Sequence, residues 1–209
     1  MYMSDTGSFR LICVTNRHLC SEDVSVRIQA LLTAGADMVI LREKDLTETD
    51  YQQLAQNIFT DLPREMHSHI LLHHFPDAAK ALAHPSIHLS LWQLEARPEI
   101  RHSFSKLGIS IHSAEEARRA EALGADYVTA GHIFDTACKQ GLPGRGTAFL
   151  QEVCRSVAIP VFAIGGISLK NIRQISSAGA AGACIMSSGM QCEDPGNYFQ
   201  ELRRASSLL

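Results

Sequence analysis

Short apolar runs alternate with amphipathic stretches eight times along this chain, roughly one pair every 25 residues. That repetition predicts strand–helix units and a parallel sheet covered by helices. Strands are predicted over residues 11–15, 38–41, 70–72, 87–89, 108–111, 126–130, 160–164 and 182–186. Helical spacing covers 24–34, stopping at Gly35, then 48–60 and 77–83, with a further helix from about residue 95. The later helices run to Leu123, over 148–157, to Ser177 and over 195–205. Thr47 with Asp50, and Ser113 with Glu116, have the spacing of helix starts, and Ser168 reads as a further cap. Eight such units suit an α/β fold of one kind, a closed (β/α)8 TIM barrel forming a single domain over residues 1–209. An open doubly wound sheet fits the count less well.

In a barrel the chemistry sits where strands end. The polar clusters gather there: Thr15-Asn16-Arg17, Arg42-Glu43-Lys44, His73-His74, His112-Ser113, Gly131-His132, Gly165-Gly166 and Ser187-Ser188 all follow apolar runs. The 209 residues are 45% hydrophobic, enough for a sizeable core, and carry a formal charge of −3. That balance, with no long basic run, argues against nucleic acid or an acidic membrane as partner. The polar start and the lack of a long apolar run predict a cytoplasmic protein. Of the six cysteines, Cys13, Cys154 and Cys184 read as core, and Cys138 is a thiol in a glycine-rich loop.

Residues 131–146 are the most chemically suggestive stretch. The sixth strand delivers His132 to its C-terminal end, and a histidine is readily tuned for proton transfer near neutral pH. Thr136, Cys138, Lys139 and the glycines that follow suit a loop packed around an anion. Alone, the segment equally fits a surface loop with one satisfied histidine. Gly165-Gly166 after strand seven, and Ser187-Ser188 after strand eight, stand where barrels commonly hold phosphate. Arg42 and Lys44 share a strand end and could clamp a carboxylate or phosphate, or else pair with Glu43 or Asp45. His112 either reaches the site or packs at a helix start. His73 and His74, adjacent on an extended chain, should face opposite ways. No metal site is expected, because no carboxylate follows strand four. There is no Gly-x-Ser-x-Gly elbow, no Walker loop and no dinucleotide fingerprint.

Leu41-Arg42-Glu43-Lys44, Ser110-Ile111-His112-Ser113-Ala114-Glu115-Glu116-Ala117, Phe134-x-Thr136-x-x-Lys139 and Pro160-x-x-Ala163-Ile164-Gly165-Gly166-Ile167 resemble the thiamine phosphate synthase superfamily nearly end to end. The resemblance implies a (β/α)8 barrel and two candidate activities. A synthase joins a pyrimidine diphosphate to thiazole phosphate with Mg²⁺ managing the diphosphate. A thiazole tautomerase aromatises a carboxythiazole phosphate by a proton shift. The synthase pattern carries Gln ahead of Leu41, where this chain has Ile40, and acidic ligands where it has His73-His74 and Leu89-Ser90-Leu91-Trp92. Residues 131–146 resemble the tautomerase branch. The expected activity is therefore a thiazole tautomerase, an isomerase needing no cofactor, with His132 as acid/base.

The same resemblance assigns the substrate to Arg42, Lys44, Ser110, Thr136, Cys138 and Lys139. It puts the phosphate on Gly165, Gly166, Met186, Ser187 and Ser188. The partner is a small phosphorylated thiazole, and a homodimer is in keeping with such barrels. His73-His74 departs from both branches and is read as wall rather than as a second relay. The alternatives are a divergent thiamine phosphate synthase, or a barrel that binds thiazole phosphate without catalysis.

Overall fold

The structure, a computed structural model, describes residues 8–136, 139 and 141–207. Cys138, assigned to the substrate by sequence, lies outside the described residues. Eight parallel strands, β1 (Arg10–Val14), β2 (Met38–Leu41), β3 (Ile70–His73), β4 (Ser86–Ser90), β5 (Lys106–Ile111), β6 (Tyr127–Gly131), β7 (Val161–Ile164) and β8 (Gly182–Ile185), pair in sequence order. β8 pairs in turn with β1 and closes the barrel. The (β/α)8 expectation is met, with each predicted strand present to within a few residues.

The closure follows from side chains that alternate along each strand. On β2, Val39 and Leu41 face outward into the layer shared with the helices, while Met38 and Ile40 face inward. The inward set, Ile12, Val14, Met38, Ile40, Leu71, Tyr127, Phe162 and Cys184, forms a separate small core inside the barrel. The outer layer is larger and holds Ile28, Leu31, Tyr51, Leu150 and Phe199 among many others. A strand buried on both faces must read as a continuous apolar run, which is why the sequence pattern was clear.

The helices are α1 (Val24–Thr33), α2 (Glu48–Asp61), α3 (Arg64–His67), α4 (Pro76–Ala81), α5 (Leu91–Ala96), α6 (Ala114–Ala122), α7 (Gly146–Ser156), α8 (Ile172–Ser177), α9 (Ser187–Gln191) and α10 (Pro195–Ser206). Thr47 and Ser113 cap α2 and α6 as expected, each hydroxyl accepting from the backbone N–H three residues on. Two expectations fail locally. Ser168 does not cap: Asn171 Oδ1 accepts its N–H at 2.8 Å in a turn, so α8 begins four residues later. The helix placed from residue 95 instead starts at Leu91, behind a Ser90–Gln93 capping box, and ends before Pro98. Cys13 and Cys184 are buried as predicted, whereas Cys154 is only half-buried. Among the described residues no helix is long and apolar enough to cross a membrane.

Candidate functional site

A cavity of about 600 Å³ opens at the C-terminal end of the barrel. Its lining brings together most of the residues singled out by sequence. Arg42 comes from the end of β2, Ser110 from β5 and His132 from the end of β6. Thr136 and Lys139 come from the following loop, and Gly165, Gly166, Met186, Ser187 and Ser188 from beyond β7 and β8. Lys44 is not part of the lining, but its charge couples to Arg42 and Lys139.

Both glycines after β7 have left-handed backbone, with φ of +103° at Gly165 and +64° at Gly166. A Cβ on Gly165 would lie 2.4 Å from His132 Cβ, and one on Gly166 would lie 2.5 Å from the Asp135 carbonyl oxygen. Segment 132–135 therefore packs directly on this turn, tied by the Phe134 N–H donating to the Gly165 carbonyl at 3.1 Å. The glycines serve this close approach and at the same time expose backbone to the cavity. Beside them, the Tyr198 hydroxyl donates to Ser188 Oγ at 2.8 Å.

The charge pattern at the end of β2 departs from the ion pairs considered for Arg42 and Lys44. Glu43 is 2% exposed and accepts from the Thr15 hydroxyl at 2.6 Å and the Arg17 N–H at 3.0 Å. The Arg17 guanidinium reaches both Glu43 (3.0 Å) and Asp45 (2.8 Å). Arg17 thus occupies both carboxylates, and among the described residues Arg42, Lys44 and Lys139 make no ion pair. Desolvation first, then Arg42 and Lys139, lower the pKa of Lys44. Sequence reading missed Arg17 because its partners lie on the neighbouring strand's end, a register effect invisible in one segment.

His132 Nε2 lies 3.1 Å from the Leu142 carbonyl, and the His132 carbonyl accepts from the Arg145 N–H. His132 is therefore a brace for the loop as well as a lining residue. His112 lines the cavity, yet it is also held at the start of α6, its N–H donating to Glu116 at 2.6 Å. Arg145, not singled out by sequence, donates to the His112 carbonyl and stacks 5.1 Å from the Phe149 ring.

His73 and His74 do not face opposite ways. His74 has φ of +73°, which breaks the extended alternation, and the two rings stack with centroids 6.0 Å apart. His73 is 6% exposed, lies parallel to His88 at 5.9 Å, and leaves Nδ1 without a partner among the described residues. Burial holds both rings uncharged, pushing His73 well below the ordinary range and His88 down to about 3. His88, Thr129 and Tyr127 form a polar cluster beneath the cavity. Only the inward position of His88 on β4 could have signalled it.

The ends of β3 and β4 offer imidazoles and a serine hydroxyl, and no group of three metal-binding side chains occurs among the described residues. Mg²⁺ favours carboxylate, phosphate and water oxygens. The residues present do not fit it.

Residues 11–188 match the thiamine monophosphate synthase family. A thiamine-phosphate synthase of Syntrophomonas wolfei is 33% identical over 203 residues, covering 95% of this chain and 96% of the relative. One from Pyrococcus abyssi is 34% identical over 197 residues, with 93% of each chain covered. The solved thiamine phosphate pyrophosphorylase of Pyrococcus furiosus superposes with a TM-score of 0.78 at 28% identity, covering 95% of each chain. The first two are named synthases and the third a pyrophosphorylase, and none of the three is named an isomerase or tautomerase. The isomerase and thiazole tautomerase expectation is overturned by them, and they favour the alternative of a divergent synthase.

Proposed function

Because the chain belongs to the thiamine monophosphate synthase family, we propose that it is a transferase joining a phosphorylated thiazole to a pyrimidine diphosphate. The thiazole nitrogen supplies the electron pair for the new N–C bond. The C–O bond to the diphosphate breaks, and diphosphate leaves with that bond's electrons. No proton has to move between side chains in this step, so the acid/base role expected of His132 lapses, and its contact with Leu142 becomes the relevant one.

The observation that supports this reading best is the unpaired charge around Arg42, Lys44 and Lys139, created by Arg17 taking Glu43 and Asp45. A diphosphate leaving group needs positive charge opposite it. Here the chain's own cations are placed to supply that charge, where the side chains do not suit Mg²⁺. The turns after β7 and β8 offer a second anion station across the same cavity, for the thiazole phosphate.

The test is condensation of the two substrates by purified protein. Product should form, and Arg42→Ala should cut kcat/KM by about 10²–10³-fold, the usual scale for losing a charge-stabilising donor. Absence of any product from folded protein that still binds thiazole phosphate would reject the transferase and leave a non-catalytic binder.

A further inference from the structure

Beneath the cavity, three strands place His88, Gly108 and Tyr127 in one row, with His88 beside Gly108 and Gly108 beside Tyr127 in register. A Cβ on Gly108 would fall 2.1 Å from Tyr127 Cζ and 2.5 Å from His88 Nδ1. Glycine at this place lets the tyrosine cross β5 and meet the histidine. The Tyr127 hydroxyl lies 3.0 Å from His88 Nδ1, and His88 Nε2 lies 2.9 Å from Ser110 Oγ. Thr129 Oγ1 stands 3.3 Å from Ser110 Oγ and 3.4 Å from His88 Nε2. Ser110 and Thr129 line the cavity above.

The protons in this cluster can be counted. The Tyr127 side chain is buried, and His88 Nδ1 is its hydrogen-bond partner among the described residues. A buried phenol proton without an acceptor is costly, so the hydroxyl donates and Nδ1 accepts. The ring is neutral, so its one proton is on Nε2 and is donated to Ser110 Oγ. Two hydroxyl protons remain, on Ser110 and Thr129. One joins the two side chains, whichever of them donates, and the other, with no further acceptor among the described residues, faces the cavity that both side chains line. With the opposite tautomer Nε2 would absorb that proton, and the cavity would meet only acceptors.

We propose that Tyr127 and His88 are positioning residues that fix the β5–β6 side of the cavity as a hydrogen-bond donor, selecting an uncharged heteroaromatic nitrogen of the ligand at Ser110 and Thr129. The cluster is uncharged, whereas cations and exposed backbone line other parts of the same cavity, so phosphate groups have better partners there. This deepens the transferase reading and rests on it only for the ligand's identity.

Nitrogen-15 spectra of histidine-labelled protein report the tautomer directly. Wild-type His88 should carry its proton on Nε2, and Tyr127→Phe should lose that bias. Titration with 4-aminopyrimidine and with inorganic phosphate then separates the two kinds of acceptor. Tyr127→Phe and Ser110→Ala should each weaken 4-aminopyrimidine about tenfold, the scale of one lost hydrogen bond, and leave phosphate within about twofold. His88→Gln, whose amide can still donate to Ser110, should retain more aminopyrimidine binding than His88→Ala. A proton on Nδ1 of wild-type His88, which needs no variant to observe, would overturn the proposal. So would equal weakening of both probes, or unchanged aminopyrimidine binding in Tyr127→Phe. Failure of the condensation assay alone would leave these binding results standing.

Discussion

The rim of the barrel and its interior use ionisable side chains in opposite ways. At the end of β2, Arg17 pairs with both Glu43 and Asp45, and among the described residues Arg42, Lys44 and Lys139 are left without an ion pair. A few residues deeper, His73, His88 and Tyr127 are buried and uncharged, and His88 and Tyr127 hydrogen-bond to each other. Water accounts for the contrast. A solvated rim can bear unpaired cations at modest cost, whereas in the interior burial disfavours the charged form of a titratable group.

The largest expected effect breaks the interior. Gly108→Ala forces a Cβ into the Tyr127 ring and should destabilise the fold by about 3 kcal/mol or more, read by urea unfolding. A loss below about 1 kcal/mol would mean that the row relaxes freely. Next comes acid. His88 has its pKa lowered from 6.5 to about 3, so its contribution is fully present above pH 6.5 and is lost as pH falls towards 3. Unfolding free energy should drop there by up to about 1.4 kcal/mol per pH unit for this group, a slope that His88→Gln reduces. An unchanged slope in that variant would place the acid sensitivity elsewhere.

The rim responds in the other direction. In the proposed reading Lys44 would hold an anion in its charged form, and burial above all lowers its pKa. Pyrophosphate affinity should therefore be full at lower pH and decline as pH rises, beginning below the ordinary lysine range. Calorimetry in buffers of different ionisation enthalpy should show proton uptake on binding. Affinity that stays flat into that range would remove Lys44 from the anion site. The smallest effect is expected at His132. His132→Asn should lower kcat by less than about tenfold, because a general acid/base would account for about 10²–10⁴-fold. A loss on that larger scale would restore a proton-transfer role to His132.

The barrel was legible because a strand buried on both faces leaves a continuous apolar run. That Arg42, His132 and the glycine and serine pairs share one cavity was also legible, since barrels gather chemistry at strand ends, while Ser110 entered through the family resemblance. Arg17 was not, because its meaning depends on Glu43 and Asp45 beyond the end of the neighbouring strand β2. Nor was the His88 cluster, which needs three strands in register before its atoms meet. The histidine pair was misread because the left-handed backbone of His74 cannot be inferred from a strand pattern. The activity was misassigned by weighting the 131–146 segment, the missing acidic ligands and Ile40 above the chain-long likeness to the synthases.

The central claim is that side-chain cations at the rim manage the diphosphate. Its most direct test is calorimetric titration of the protein with inorganic pyrophosphate, once with a chelator in excess and once with Mg²⁺. Binding within about threefold in the two conditions, lost in Arg42→Ala, is the predicted result. Binding that requires Mg²⁺ and ignores Arg42 would contradict it.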